Sequence, residues 1–185
     1  MRTYFVAATQ PNVGLTSVSL GLLRALQRRS LTVAFVKPIT KRTPDTEPSV
    51  LFARRICQAG NTPDPLPMSL ATERITSGKT DELLEDIVSM AMSCTEGADV
   101  LLVEGLHADP SRAFIPRLSA DIARSLQADV VLVANGANAE GIAQTQYMIS
   151  QVRIAGRTVV GVIFNRAAAD FDEAAALSQL DGVPI

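Results

Sequence analysis

The sequence predicts an α/β fold in three layers, an open parallel sheet with helices on both faces. Two patterns predict it. Short apolar runs alternate with longer stretches of helical periodicity, which implies crossover connections. The runs are also apolar at nearly every position, as strands covered on both faces must be. They are Tyr4–Ala7, Leu31–Val36, Val100–Val103, Val130–Val133 and Val159–Phe164. A helix follows the first run from Gly14 to about Arg28, with Val18, Leu22, Leu23 and Leu26 as its apolar stripe. Pro48–Ala59 reads as a second helix, stopped by Gly60. A third opens at Thr80 with Asp81 and Glu82, which suit a helix start, and carries Leu83, Leu84, Ile87, Met90 and Ala91. Ile122 and Leu126 mark another. Ile142, Ile149 and Val152 mark one more, with Gly156 placed to end it. Gly182–Ile185 reads as the beginning of a further strand. Thr40–Glu47 is polar around Pro44, and Asn61–Pro67 carries three prolines, so both read as surface loops. With no repeat or linker, residues 1–185 read as one domain.

Composition narrows the function classes. At 185 residues, 47% hydrophobic and 19% charged, the chain has the make-up of an ordinary globular domain. A net charge of −2 argues against nucleic acid as partner. No run approaches the roughly 20 apolar residues of a membrane helix, and the chain opens directly into a strand pattern, so a cytoplasmic protein is expected. Cys57 and Cys94 lie far from any CxxC partner, which disfavours a disulfide framework or a zinc site.

In open parallel sheets ligands sit beyond the C-terminal ends of the strands. After the first strand comes Ala8-Thr9-Gln10-Pro11-Asn12-Val13-Gly14-Leu15-Thr16-Ser17, a strand–loop–helix frame like that of a phosphate-binding loop. Backbone N–H groups and the helix N-terminus cradle phosphate in such loops, a lysine grips the terminal phosphates, and a hydroxyl holds magnesium. Thr16 keeps the hydroxyl, but Leu15 stands where the cation belongs and Thr9 where the first glycine belongs. Losing one well-placed charge-stabilising donor typically lowers turnover on the order of 100- to 1000-fold. Asn12, Val13, Gly14, Leu15, Thr16 and Ser17 are therefore read either as a degenerate anion cradle or as a plain strand-to-helix turn with Leu15 in the core. The frame makes the expected fold P-loop NTPase-like.

The other strand ends carry Lys37-Pro38-Ile39, Glu104-Gly105, Asn135-Gly136 and Asn165-Arg166. Lys37 is either a cation offered to a ligand or a solvated lysine before a proline. Glu104, a carboxylate ending an apolar strand, is hard to explain by packing alone. It could hold magnesium, cap a helix or pair with Lys37. Asn165 could read a base edge or simply end the strand in a turn. His107 is the sole histidine and is read as structural. Ser77-Gly78-Lys79-Thr80 copies the tail of a phosphate-loop motif, but Glu73 occupies the first-glycine position and no strand precedes it. It reads as a helix-start loop.

Together, Val13-Gly14-Leu15-Thr16-Ser17-Val18-Ser19-Leu20-Gly21, Val36-Lys37-Pro38-Ile39 and Leu102-Val103-Glu104-Gly105-Leu106 resemble the N-terminal domain of long bacterial phosphate acetyltransferases. That domain is similar to dethiobiotin synthetase, a P-loop ATP-dependent ligase. The resemblance runs over essentially the whole chain, and its first run reproduces even the missing lysine. Relative to the synthetases, Ala8 and Leu15 replace the loop's Gly and Lys. The resemblance implies Thr16 and Glu104 as magnesium ligands, Lys37 as a substrate or phosphate contact and Asn165 as a base contact, all conditional on a nucleotide with magnesium being bound. Leu106-His107-Ala108-Asp109 replaces the glycine-rich extension and removes part of the synthetase substrate site.

The resemblance implies a regulatory or assembly domain with no catalytic residue, joined to the rest of a parent acetyltransferase. A small-molecule effector and homo-oligomerisation of the parent are expected with it. The acetyltransferase domain is absent here, and Val183-Pro184-Ile185 reads as a strand cut as it begins, so an excised domain is expected. The alternative is a stand-alone ATP-dependent ligase of the dethiobiotin synthetase type, with Lys37 as substitute cation. A pure interaction module is a third reading.

Overall fold

The first apolar run becomes β1, Arg2–Ala8, and the other four become β2 (Val33–Val36), β5 (Val100–Glu104), β6 (Asp129–Asn135) and β7 (Val159–Asn165). These form a five-stranded sheet in the order β2-β5-β1-β6-β7, with β2–β5 and β6–β7 parallel. The computed structural model describes residues 1–55, 59–109, 111–135, 139–167, 171–180 and 182–185. The chain divides into two compact units, Met1–Tyr4 with Ser19–Gly105, and Phe5–Val18 with Leu106–Ile185.

In the first unit β2 and β5 are buried at every position, as their unbroken apolar character requires. Their register pairs Val33 with Val100 and Val36 with Val103. α2 (Pro48–Arg55) and α4 (Thr80–Met92) occupy expected places; α4 buries Leu83, Leu84, Ile87 and Ala91. Cys57, and with it residues 56–58 of the helix expected over Pro48–Ala59, lies outside the described residues. Cys94 is buried and free.

Three elements of this unit differ from expectation. The two proline-marked loops supply β3 (Ile39–Thr40) and β4 (Leu66–Pro67), a two-stranded parallel sheet, with a 3-10 turn at Pro44–Thr46. Pro67 fits because the pairing ends with it, leaving no further ladder donor to supply. Thr40 and Glu47 are buried rather than surface residues. An additional helix, α3 (Met68–Thr76), packs beside α4, and the Arg74–Asp86 pair at 2.6 Å links the two. Ser77–Lys79 is the turn between them, as its lack of a preceding strand requires.

In the second unit β6 and β7 pair from Val130↔Val159 to Asn135↔Asn165, with a register shift after the first pair. α5 (Ile115–Ser125) and α6 (Ala139–Ile154) carry the expected stripes, and Gly156 takes φ +73° just past the end of α6. A short α7 (Glu173–Gln179), capped by the Asp172 side chain on the Ala175 amide, has no counterpart in the sequence reading. Gly182–Ile185 forms no strand. Its Pro184 carbonyl engages β7, accepting from the Val162 amide at 2.7 Å.

Candidate functional site

Two strand-end arrangements carry chemistry, one in each unit. In the second unit the loop after β1 enters helix α1 (Leu15–Arg28) through two left-handed residues, Asn12 (φ 59°) and Gly14 (φ 78°). Gly14 is required twice over. Its φ disfavours a side chain, and a Cβ there would stand 2.4 Å from the Asn165 amide nitrogen. That amide donates to the Val13 carbonyl at 2.8 Å, and the Arg166 guanidinium reaches the Asn12 carbonyl at 3.4 Å. Asn165 therefore ties the end of β7 to the loop. Of its two sequence readings, the structure gives it a positioning bond within the protein.

Thr9, at the first-glycine position, extends the sheet. Its amide and its hydroxyl both donate to the Val133 carbonyl, at 3.0 and 3.3 Å. The Gln10 amide likewise holds the Asn135 carbonyl at 3.0 Å. Gly136 of the expected Asn135-Gly136 loop lies outside the described residues. Leu15 is 0% exposed. The position that carries the cation in an active loop is a core position here. Thr16 and Ser17 begin the first turn of α1, and Thr16 makes an interaction within the protein.

In the first unit, Lys37 follows β2 and Glu104 ends β5, one step past the Val36↔Val103 pair. Lys37 is 2% exposed and Glu104 0%, and the Lys37 ammonium lies 2.5 Å from Glu104 Oε1. The solvated lysine allowed by the sequence is thereby corrected, because burial beside a carboxylate holds the ammonium in place of water. The pairing of Glu104 with Lys37 is the alternative that the structure realises.

Sequence reasoning missed the third member, Glu47. Its carboxylate lies 3.7 Å from the Lys37 ammonium, accepts from Ser49 Oγ at 3.1 Å, and takes a short bond from the Thr40 hydroxyl. The Thr40 oxygen in turn accepts from the Arg42 amide at 2.9 Å. Burial pushes the Glu47 carboxyl up, but the Thr40 bond, the Lys37 charge and the Ser49 bonds outweigh it and hold it below its ordinary value. The available signal was local. Glu47 precedes Pro48, a residue suited to the first helical position, so its carboxylate sits at the start of α2 where negative charge is favoured.

A nucleotide with magnesium asks for a loop cation and for a carboxylate that can face the metal. The residues present meet that demand only in part. Leu15 brings no charge and is buried, and Glu104 is already engaged by Lys37. Lys37, the other candidate cation, is itself engaged by two buried carboxylates. Among the described residues no group of three or more His, Cys, Asp and Glu could hold a metal ion. Among them, too, no helix is long and apolar enough to cross a membrane.

The parallel sheet, its flanking helices and the loop between β1 and α1 define a P-loop-type α/β protein. A family model described as an AAA domain matches residues 2–185, and the chain belongs to that family. It is also similar to the phosphate acetyltransferase of Deinococcus radiodurans, 38% identical over 186 residues, which cover 97% of this chain and 26% of that protein. The phosphate acetyltransferase of Pseudomonas aeruginosa is 38% identical over 182 residues, covering 94% and 26%. The chain thus spans about a quarter of the length of the curated relatives it matches. Among solved structures, Cyanthece apo McdA has a TM-score of 0.59 at 16% identity, covering 99% of this chain and 81% of that one, a likeness of fold.

Proposed function

We propose that this chain is a regulatory and assembly domain from the N-terminal part of a phosphate acetyltransferase, and that it makes and breaks no bonds itself. The parent reaction interconverts acetyl-CoA and phosphate with acetyl phosphate and CoA. Its catalytic groups belong to the rest of the parent chain, in the cytoplasm. The observation that carries the reading is Leu15, 0% exposed at the position where an active loop presents its lysine. A core leucine can shape the loop but cannot neutralise the charge that develops on a transferring phosphoryl group. The similarity to phosphate acetyltransferases supports the choice of parent.

In this reading the domain acts through binding, either of a small-molecule effector or of further copies of the parent chain. The test compares the parent enzyme with a form lacking residues 1–185. The shortened enzyme is expected to retain acetyl transfer while its effector response or its assembly size changes. Titration of the present chain with magnesium and ATP is expected to be flat, and the chain alone to transfer no acetyl group. Saturable magnesium-dependent ATP binding with turnover would refute the proposal and revive the ligase alternative.

A further inference from the structure

We propose that the second unit holds a binding site for a small uncharged molecule with a flat ring and an amide edge, in the cavity between the end of β1 and helices α5 and α6. This inference stands on the cavity alone and does not depend on the regulatory reading. The cavity measures about 360 Å³, within the range of metabolite-sized sites. It is lined by the strand end and loop entry, Ala8 to Pro11, by Ala108, Asp109 and residues of 112–119 that include Arg112, Ala113 and Ser119, and by Gln144, Tyr147 and Met148 of α6.

Three features select the ligand class. The first is charge. Arg112 and Asp109, the charged side chains among the lining residues, are paired with each other, and Asp109 also accepts from the Ser111 hydroxyl at 2.6 Å. An ion entering the cavity would lose hydration without meeting a net countercharge, whereas a neutral molecule loses little.

The second is a buried hydroxyl. Ser119 is 4% exposed and lines the cavity. A buried hydroxyl turned to a cavity is a donor and acceptor prepared for a polar edge.

The third is the apolar and aromatic remainder. Tyr147 lines the cavity and is 53% exposed, and Met148 and Ile115 are buried lining residues. A ring can lie on the tyrosine while the adaptable methionine fits its outline. Gln10 and Gln144 add side-chain amides to the lining, each with one N–H already donated, to the Asn135 carbonyl at 3.0 Å and to Glu140 Oε1 at 3.3 Å, and with further hydrogen-bonding capacity for an amide edge.

The test uses three isosteric probes that differ in charge, benzamide, benzoate and benzamidine, each titrated into the chain and followed by amide chemical shifts. Benzamide is expected to saturate with a Kd on the order of 1 mM, reasonable for so few atoms, with shifts centred on Gln10, Ser119 and Tyr147. Ser119→Ala is expected to weaken it about 5-fold, the loss of one neutral hydrogen bond. Ala113→Phe, at an exposed lining position where folding should not suffer, is expected to weaken it at least about 10-fold by filling the space. The absence of saturable shifts overturns the site, as does binding indifferent to Ala113→Phe. Equal or tighter binding of benzoate or benzamidine overturns the assignment to uncharged ligands.

Discussion

Restoring the missing cation by Leu15→Lys separates a core position from a dormant nucleotide site. The leucine is 0% exposed. Exchanging it forfeits about 1.5–3 kcal/mol of apolar burial, less whatever the lysine stem recovers. Holding a lysine neutral at pH 7, against its ordinary value of about 10.4, costs on the order of 4–5 kcal/mol, and burying it charged and unpaired costs more. A loss of about 4–6 kcal/mol is therefore expected, a large share of the stability of a typical domain. Urea unfolding of wild type, Leu15→Met and Leu15→Lys measures it, with the methionine variant expected to lose less than about 1.5 kcal/mol. The deficit of Leu15→Lys should shrink as pH rises toward about 10, because a buried lysine binds its proton less tightly folded than unfolded. A Leu15→Lys protein of wild-type stability that also bound ATP with magnesium would refute the reasoning. It would show that the side chain at this position turns outward to the phosphates.

Three further outcomes follow from the same geometry. Lys37→Met strips the cation from two buried carboxylates and should cost about 3–5 kcal/mol in urea unfolding. Lys37→Met with Glu104→Gln should cost less than Lys37→Met alone, since one stranded charge is gone. The depressed Glu47 carboxyl contributes stability that is fully present above its ordinary value of 4.5 and fades as pH falls below it. Thermal melts from pH 6 to about pH 3 should therefore show a steeper acid loss in wild type than in Glu47→Gln. Gly14→Ala should cost about 1–3 kcal/mol through its positive φ and the 2.4 Å approach to the Asn165 amide. Adding Asn165→Ala removes the clash, so the double variant should be more stable than the summed single losses by about 1 kcal/mol, read by the same unfolding assay.

The sheet was legible because its strands are apolar at almost every position. Val33–Val36 and Val100–Glu104 are buried at each residue, so no other element suits them. The small sheet was not. Ile39–Thr40 and Leu66–Pro67 are too short to show a period, and the prolines around them announce a loop. Met68–Thr76 escaped because nine residues beginning after a proline carry only two buried positions, Met68 and Ala71, too few to form a stripe. In the site, the chemistry at Leu15 was legible from spacing alone, as one missing charge. The partners of Lys37 were legible only in part. Glu104 ends the neighbouring strand and could be paired with it on paper, but Glu47 reaches the cluster through a polar segment whose burial depends on tertiary packing.

That cluster binds a strand-end lysine and carboxylate to one another within the protein. Two carboxylates and one ammonium buried together are costly unless they hold one another. Glu104 has the ammonium at 2.5 Å, and Glu47 has Ser49 at 3.1 Å with Thr40 and the ammonium. Removing Lys37 would strand both carboxylates, whereas removing either carboxylate leaves the ammonium beside the other. In the other unit, Asn165 on the Val13 carbonyl and Thr9 on the Val133 carbonyl likewise use motif positions as fasteners. Lys37, Glu104, Thr9 and Asn165 thus each make bonds within the protein. It follows that Thr9→Gly, which restores the motif's first glycine, should destabilise the chain by about 1–2 kcal/mol in urea unfolding without creating magnesium-dependent ATP binding. A stable Thr9→Gly variant that acquired such binding would show the fastener to be dispensable and the site to be one residue from active.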